Sequence, residues 1–153
     1  MSETYKTHFL PDEQHTKILA ESLAKSAKKG DIFFLKGDLG VGKTTFARYF
    51  IRFFLCDNEV VPSPTFTLIQ SYDTKDFPLW HIDLYRLENP EETRELGLEE
   101  IFENGVCLIE WPERMMSYAP EKRIDLSFSQ EDEARQVIVK YLNKHETHEH
   151  TKI

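Results

Sequence analysis

Cysteine is scarce: Cys56 and Cys107 are the only two in 153 residues. Their spacing matches neither a metal-binding nor a dithiol redox motif, and nothing in the chain calls for an oxidising compartment. Cys107 lies inside VCLIE and reads as a small buried hydrophobe. Long apolar runs are missing as well. None approaches the length of a membrane-spanning helix, and the N-terminal MSETYKTHFLPDEQH is polar, unlike a signal peptide. The expectation is a cytoplasmic protein. Positive charge is in deficit, with 19 Lys and Arg against 27 Asp and Glu, a formal net charge of −8. A protein that holds nucleic acid by its backbone needs cations to neutralise phosphates, so broad nucleic-acid binding is disfavoured. There is no internal repeat and no linker rich in Gly, Pro or Ser. The length suits one domain, placed at residues 1–142, followed by a polar tail over 143–153. The tail carries His145, His148 and His150 without periodicity and reads as a solvated, frayed end.

What is present is the composition of a folded globule, 40% hydrophobic and 30% charged, with 11 phenylalanines. A chain of this size buries roughly 68–70% of the surface it exposes when unfolded. A strand is expected around Thr4–Phe9. LPDEQHTKILAESLAKSAKKG then reads as a helix, with Pro11 and Asp12 as start signals and Gly30 as the stop. Ile18, Leu19, Leu23 and Ala27 would form its apolar face. DIFFLKG fits a buried strand and KTTFARYFIRFFL a helix. TFTLIQSYDTKDFPLWHIDLYRL suggests two strands joined by a polar turn, and NPEETRELGLEEIFENG two short helices broken near Gly97. VCLIEW is another buried strand, and RIDLSFSQEDEARQVIVKYL a terminal hairpin. Strands alternating with helices, then antiparallel pairs, indicate an α/β sandwich with a mixed sheet.

The strongest chemical signal is GDLGVGKT, Gly37 to Thr44, which fits G-x-x-x-x-G-K-[ST] at every fixed position. Its setting is the required one, after an apolar strand and at the opening of an amphipathic helix. Gly37, Gly40 and Gly42 let successive N–H groups point into one anion-sized nest, and the helix adds its positive dipole end. The nucleotide-binding stretch is therefore Asp38, Leu39, Gly40, Val41, Gly42, Lys43, Thr44 and Thr45. Within it, Lys43 reaches the β- and γ-phosphates and the Thr44 hydroxyl is placed for Mg²⁺, while Thr45 reads as an ordinary helix residue beside it. The fold expected is a P-loop NTPase-like three-layer sandwich with a mixed, mainly parallel central sheet and a C-terminal antiparallel hairpin.

Such a hydrolase needs an acid at the end of a neighbouring strand to hold the metal, and something to orient the attacking water. Two segments qualify: LWHID ending at Asp83 and VCLIE ending at Glu110. Both carboxylates can serve one site, and spacing alone does not divide the roles. His81 alternates with Asp83, shares its sheet face, and reads as a packed histidine. Trp111 reads as a core or rim aromatic, and Arg86 as a surface pairing partner. In PSPTFTLI, Pro62 and Pro64 stiffen a corner that presents Thr65. A hydroxyl on that loop is positioned to sense the γ-phosphate, as switch segments of P-loop proteins do.

Five segments in order, GDLGVGKTT, SPTFTLIQSY, HIDLYRL, ELGLEEIF and LIEWPER, resemble the bacterial TsaE (also called YjeE) family over nearly the whole chain. The resemblance implies a small Mg²⁺-dependent P-loop ATPase required to make threonylcarbamoyladenosine in tRNAs reading codons that begin with A. It implies TsaB and TsaD proteins as partners, ATP hydrolysis that is weak alone, and a role in resetting the transferase rather than driving transfer. tRNA would be met only through the complex. By motif, Lys43 and Thr44 keep their P-loop roles and Glu110 matches the magnesium-associated acid. Asp83 matches a functional acid beside it, Trp111 the Trp next to the acid, and Thr65 a switch-like loop. Arg135 matches an Arg before the last strand that contacts nucleotide, and Thr16 stands in the N-terminal helix region that contacts adenine.

Two other classes compete. In a P-loop kinase of a small metabolite, Asp83 would be a general base, but the chain has no compact Arg-rich lid, only scattered Arg86, Arg94, Arg114, Arg123 and Arg135. In a non-hydrolysing switch, removing Asp83 or Glu110 would leave the biological role intact. No N-K-x-D element selects guanine, so ATP rests on the resemblance.

Overall fold

The computed structural model of the chain describes residues 4–38, 42–55, 69–132 and 134–142. Strands β1 (Thr4–Leu10), β2 (Ile32–Lys36), β3 (Ile69–Asp73), β4 (Pro78–Asp83), β5 (Val106–Glu110), β6 (Arg123–Glu131) and β7 (Ala134–Leu142) form one seven-stranded sheet. Helices α1 (Glu13–Ser26), α2 (Lys43–Phe54), α3 (Glu92–Glu95) and α4 (Leu98–Asn104) and a 3₁₀ helix over Pro112–Tyr118 complete the described elements. The sheet order is β1-β7-β6-β2-β5-β4-β3. The centre is parallel, β6 with β2, β2 with β5 and β5 with β4. Antiparallel pairs close both sides, β4 with β3 on one, and β6 with β7 and β7 with β1 on the other. The α/β sandwich with its mixed sheet and C-terminal hairpin is as the sequence leads one to expect. Among the described residues no helix is long and apolar enough to cross a membrane.

Strand parity builds two cores. On β2, Phe33 and Leu35 pack under α1 and α2 with Phe46, Ala47, Phe50 and Ile51. Ile32 and Phe34 face the other way, against Leu98 and Phe102 of α4 and Met115 of the 3₁₀ helix. The same alternation on β5 sends Val106 and Leu108 to the α2 side and Cys107 and Ile109 to the other. Helix α2 fits its place because its apolar residues recur at helical spacing and bury an aromatic ladder: Phe50 sits edge-on to Phe33 at 5.1 Å and to Phe46 at 6.0 Å.

The first helix departs from expectation in two details. Asp12 caps it as predicted, accepting from the His15 amide at 3.0 Å. It ends at Ser26, however, not at Gly30: Ala27 is already extended, and Lys28–Asp31 form a turn in which Lys28 N donates to Asp31 Oδ2 at 2.9 Å. Gly30, at φ +97°, serves that turn. The buried face runs through Thr16, Leu19, Ala20, Leu23 and Ala24, so Ile18 is turned to solvent. The break at Gly97 is real: its φ of +72° separates α3 from α4.

Candidate functional site

The site forms where the parallel strands end and α2 begins. Because Leu79 and Leu108 face α2, the residues two and four positions further on must face it too. That parity puts His81 and Asp83 of β4 and Glu110 of β5 on one face, with Asp83 opposite Glu110 in the parallel register. Asp83 and Glu110 are buried, at 5% and 3% exposure, a cost that carboxylates bear only when paired.

Their partners are specific. Thr44, the second residue of α2, donates its hydroxyl to Glu110 Oε1 at 3.3 Å. His81 Nε2 lies 2.7 Å from Glu110 Oε2. Asp83 Oδ1 accepts from the Tyr85 amide at 2.9 Å. Gly42, at φ +104°, precedes α2 and turns the chain into it.

Lys43 is buried. Its Nζ donates to the Gly37 carbonyl at 2.5 Å and lies 3.8 Å from the centre of the Trp111 ring. Among the described residues no carboxylate approaches it within ion-pair distance. Burial pushes the ammonium below its ordinary value, against the opposing pull of Glu110, Glu113, Asp83 and Asp38. Trp111 packs in turn on Tyr85 at 5.0 Å, and the Arg114 guanidinium lies 5.6 Å over Tyr85. Trp111 itself has φ +61°, an uncommon conformation for a bulky residue and the bend that swings its ring back over Lys43.

The structure thus brings Lys43, Thr44, Asp83, Glu110 and Trp111 together, with Thr45 next to Thr44 on α2. Arg135 is exposed at the start of β7, and its Nη1 lies 3.6 Å from where a Cβ on Gly42 would stand, so this arginine borders the same loop. Thr16 lies on the buried face of α1, and Asp38 is exposed. Leu39, Gly40, Val41 and Thr65 lie outside the described residues, as do Pro62, Pro64, Cys56 and the tail. His81 is the packed histidine its sequence suggests, fully buried, and it also meets Glu110. The signal was in HID, whose alternation already places His81 on the face of Asp83.

Fold and site together define a class: an α/β protein of the P-loop NTPase type. Sequence comparison then specifies the family. Residues 10–138 match the family model "Threonylcarbamoyl adenosine biosynthesis protein TsaE". The chain is 50% identical over 106 residues to the tRNA threonylcarbamoyladenosine biosynthesis protein TsaE of Rickettsia conorii, an alignment covering 69% of this chain and 61% of that protein. It is 44% identical over 128 residues to the TsaE protein of Rickettsia felis, covering 84% of this chain and 75% of that one. The crystal structure of Bacillus subtilis YdiB superposes with a TM-score of 0.79 at 30% identity, over 95% of this chain and 90% of that one. The chain belongs to the TsaE family.

Proposed function

We propose that this chain is the Mg²⁺-dependent ATPase subunit of the bacterial machinery that forms threonylcarbamoyladenosine in tRNAs reading codons that begin with A. In this reading ATP binding and hydrolysis regulate or reset a cytoplasmic TsaB–TsaD transferase, and tRNA is met only through that complex. Membership of the family supports the pathway, and the observation that carries the metal-dependent hydrolysis is the contact of Thr44 with Glu110, with Asp83 opposite Glu110 in register. A hydroxyl at a helix start, facing an acid at the end of a central parallel strand, is the donor pair that P-loop NTPases use for their metal.

The donor chemistry fits. A hydroxyl and carboxylates are the hard oxygen ligands that Mg²⁺ takes. Among the described residues no group of three or more His, Cys, Asp or Glu is arranged as a metal cage. Mg²⁺ in such sites usually keeps several waters and takes one or two carboxylates plus substrate phosphates. When bound, the ion would supply charge neutralisation to the transferring phosphoryl group.

The protein's own groups divide the remaining work. Lys43, a buried cation without an acidic partner among the described residues, offers its charge to the β- and γ-phosphates, leaving Gly37 and the Trp111 face to do so. Glu110, held through Thr44, is the acid on the metal side. Asp83 is the acid left to orient the attacking water. Arg135, beside Gly42, reaches the nucleotide from β7. The loop amides from Asp38 through Thr45 cradle the phosphates, Thr16 approaches the adenine, and Thr65 senses the γ-phosphate.

The deciding experiment is ATP turnover by the purified chain, alone and with the TsaB–TsaD pair. Slow turnover alone and a marked rise with the pair is the expected result. Turnover indifferent to the pair would remove this chain from the pathway.

A further inference from the structure

His81 is fully buried, and so is its contact: the side chains of His81 and Glu110 are 1% and 4% exposed and meet at 2.7 Å. A carboxylate oxygen accepts, so the hydrogen on Nε2 is the one shared. The other ring nitrogen, Nδ1, is buried without a hydrogen-bond partner among the described residues. As filling for the space between β4 and α2, an imidazole with one unmatched nitrogen is worse than an apolar ring, because a buried polar atom without a partner is destabilising. What imidazole supplies and phenylalanine does not is a donor aimed at Glu110 Oε2.

That donor has a geometric consequence. With Oε2 held by His81, the carboxylate cannot turn about its last torsion without breaking a buried bond. Oε1 is therefore fixed toward Thr44 at 3.3 Å. The three side chains come from β4, β5 and α2, so the bond to His81 also ties the acid to a second strand.

We propose that His81 is the positioning residue of the metal-side acid: it fixes Glu110 so that Oε1 alone is presented with the Thr44 hydroxyl. This rests on the reading of Glu110 as the magnesium-associated carboxylate. Residues that orient a metal ligand through a hydrogen bond typically change metal affinity or activity by about 10–100-fold when replaced.

The test compares three variants by two measurements: ATP affinity by titration calorimetry with Mg²⁺ and in EDTA, and Mg²⁺ dependence of turnover in the presence of TsaB–TsaD. His81→Phe fills the space without a donor. His81→Gln places an amide nitrogen near the Nε2 position, and His81→Asn places it near Nδ1, short of Glu110. The Phe and Asn variants should raise the Mg²⁺ needed for half-maximal turnover by about tenfold or more and lose most of the affinity that Mg²⁺ adds, with affinity in EDTA unchanged. The Gln variant should recover toward wild type on both readouts. If the Phe variant does not fold, the Gln–Asn pair decides alone. Equal behaviour of Gln and Asn, or equal losses with Mg²⁺ and in EDTA, would reduce His81 to a structural residue and overturn the proposal. Wild-type protein that neither binds ATP nor responds to Mg²⁺ would overturn the functional reading itself, and this inference with it.

Discussion

Lys43 is buried and feels four carboxylates, none of which lies within ion-pair distance among the described residues, and this suits the phosphate-anchoring role proposed for it. Its present contacts, the Gly37 carbonyl and the Trp111 ring, are weaker than a charge-assisted bond to phosphate. Binding should therefore draw the ammonium away from Trp111. Trp80 and Trp111 are the only tryptophans in the chain, so a Trp80→Phe variant makes Trp111 a single reporter. Its fluorescence should change as ATP is added, and the change should vanish in Lys43→Met. Saturating Mg·ATP, at about 100 times its Kd, should stabilise the wild type by about 2.7 kcal/mol and the Met variant not at all, read as a shift in thermal midpoint. A Met variant that still bound ATP with wild-type affinity would show that the buried ammonium is not the phosphate anchor. Most of this residue-level picture was legible in GDLGVGKT, HID and VCLIE, because a glycine pattern and a carboxylate closing an apolar run are local signals. The bond from His81 to Glu110 was not, since it depends on the register of two parallel strands 29 residues apart in sequence. Arg135 came from family likeness alone. What puts it beside Gly42 is the return of β7 along β6, which no local pattern encodes.

At the scale of elements, β5 is the strand on which both cores and the site depend, and two of its features predict measurable behaviour. Gly105 leads into it with an extended backbone that any residue adopts, so its requirement is steric. A Cβ there would fall 2.2 Å from the Pro78 carbonyl oxygen and 2.6 Å from the Trp80 ring. Gly105→Ala must push β4 and β5 apart, at a cost of about 1–3 kcal/mol in urea unfolding. An alanine variant as stable as wild type would mean that the strands do not approach so closely. Cys107 sits two residues further on, fully buried, and burial alone pushes its thiol up to about 12. A thiol whose folded value lies above its unfolded value of about 8.5 stabilises the native state fully below that pH. That contribution is lost as pH rises from about 8.5 toward about 12, by up to about 1.4 kcal/mol per unit. In a Cys56→Ser background, Cys107 should resist a disulfide reagent at neutral pH until the protein unfolds. Cys107→Ala should lose stability less steeply above about pH 8.5 than the Cys107 protein. Rapid labelling of the native thiol would refute its burial. The elements themselves were legible because each carries its own periodicity. The end of α1 was not, because Gly30 looks like a helix stop in sequence while the Asp31 side chain builds a separate turn ahead of it.

At the scale of the molecule, the sheet order is what sequence conveys least. Strand and helix alternation predicts a parallel centre, but only the long-range pairings place β2 between β5 and β6 and so bring α2 over the ends of β4 and β5. The net charge, in contrast, is legible directly and constrains how the whole molecule can serve a tRNA-modifying reaction. At −8 the chain repels a polyanion, and phosphate neutralisation is the main source of sequence-independent affinity for nucleic acid. If tRNA reaches this protein only through TsaB and TsaD, the isolated chain should show no tight tRNA retention in filter binding at near-physiological salt. Lowering the salt should produce at most a weak rise, because few phosphates are neutralised and few counterions released. Adding the partner pair should bring tRNA and this chain into one sedimenting complex, and the salt dependence of that assembly should follow the partners' contacts. Tight binding of tRNA by the isolated chain, with a steep logarithmic dependence on salt, would place a basic surface where net charge argues against one and would make direct tRNA contact part of the mechanism.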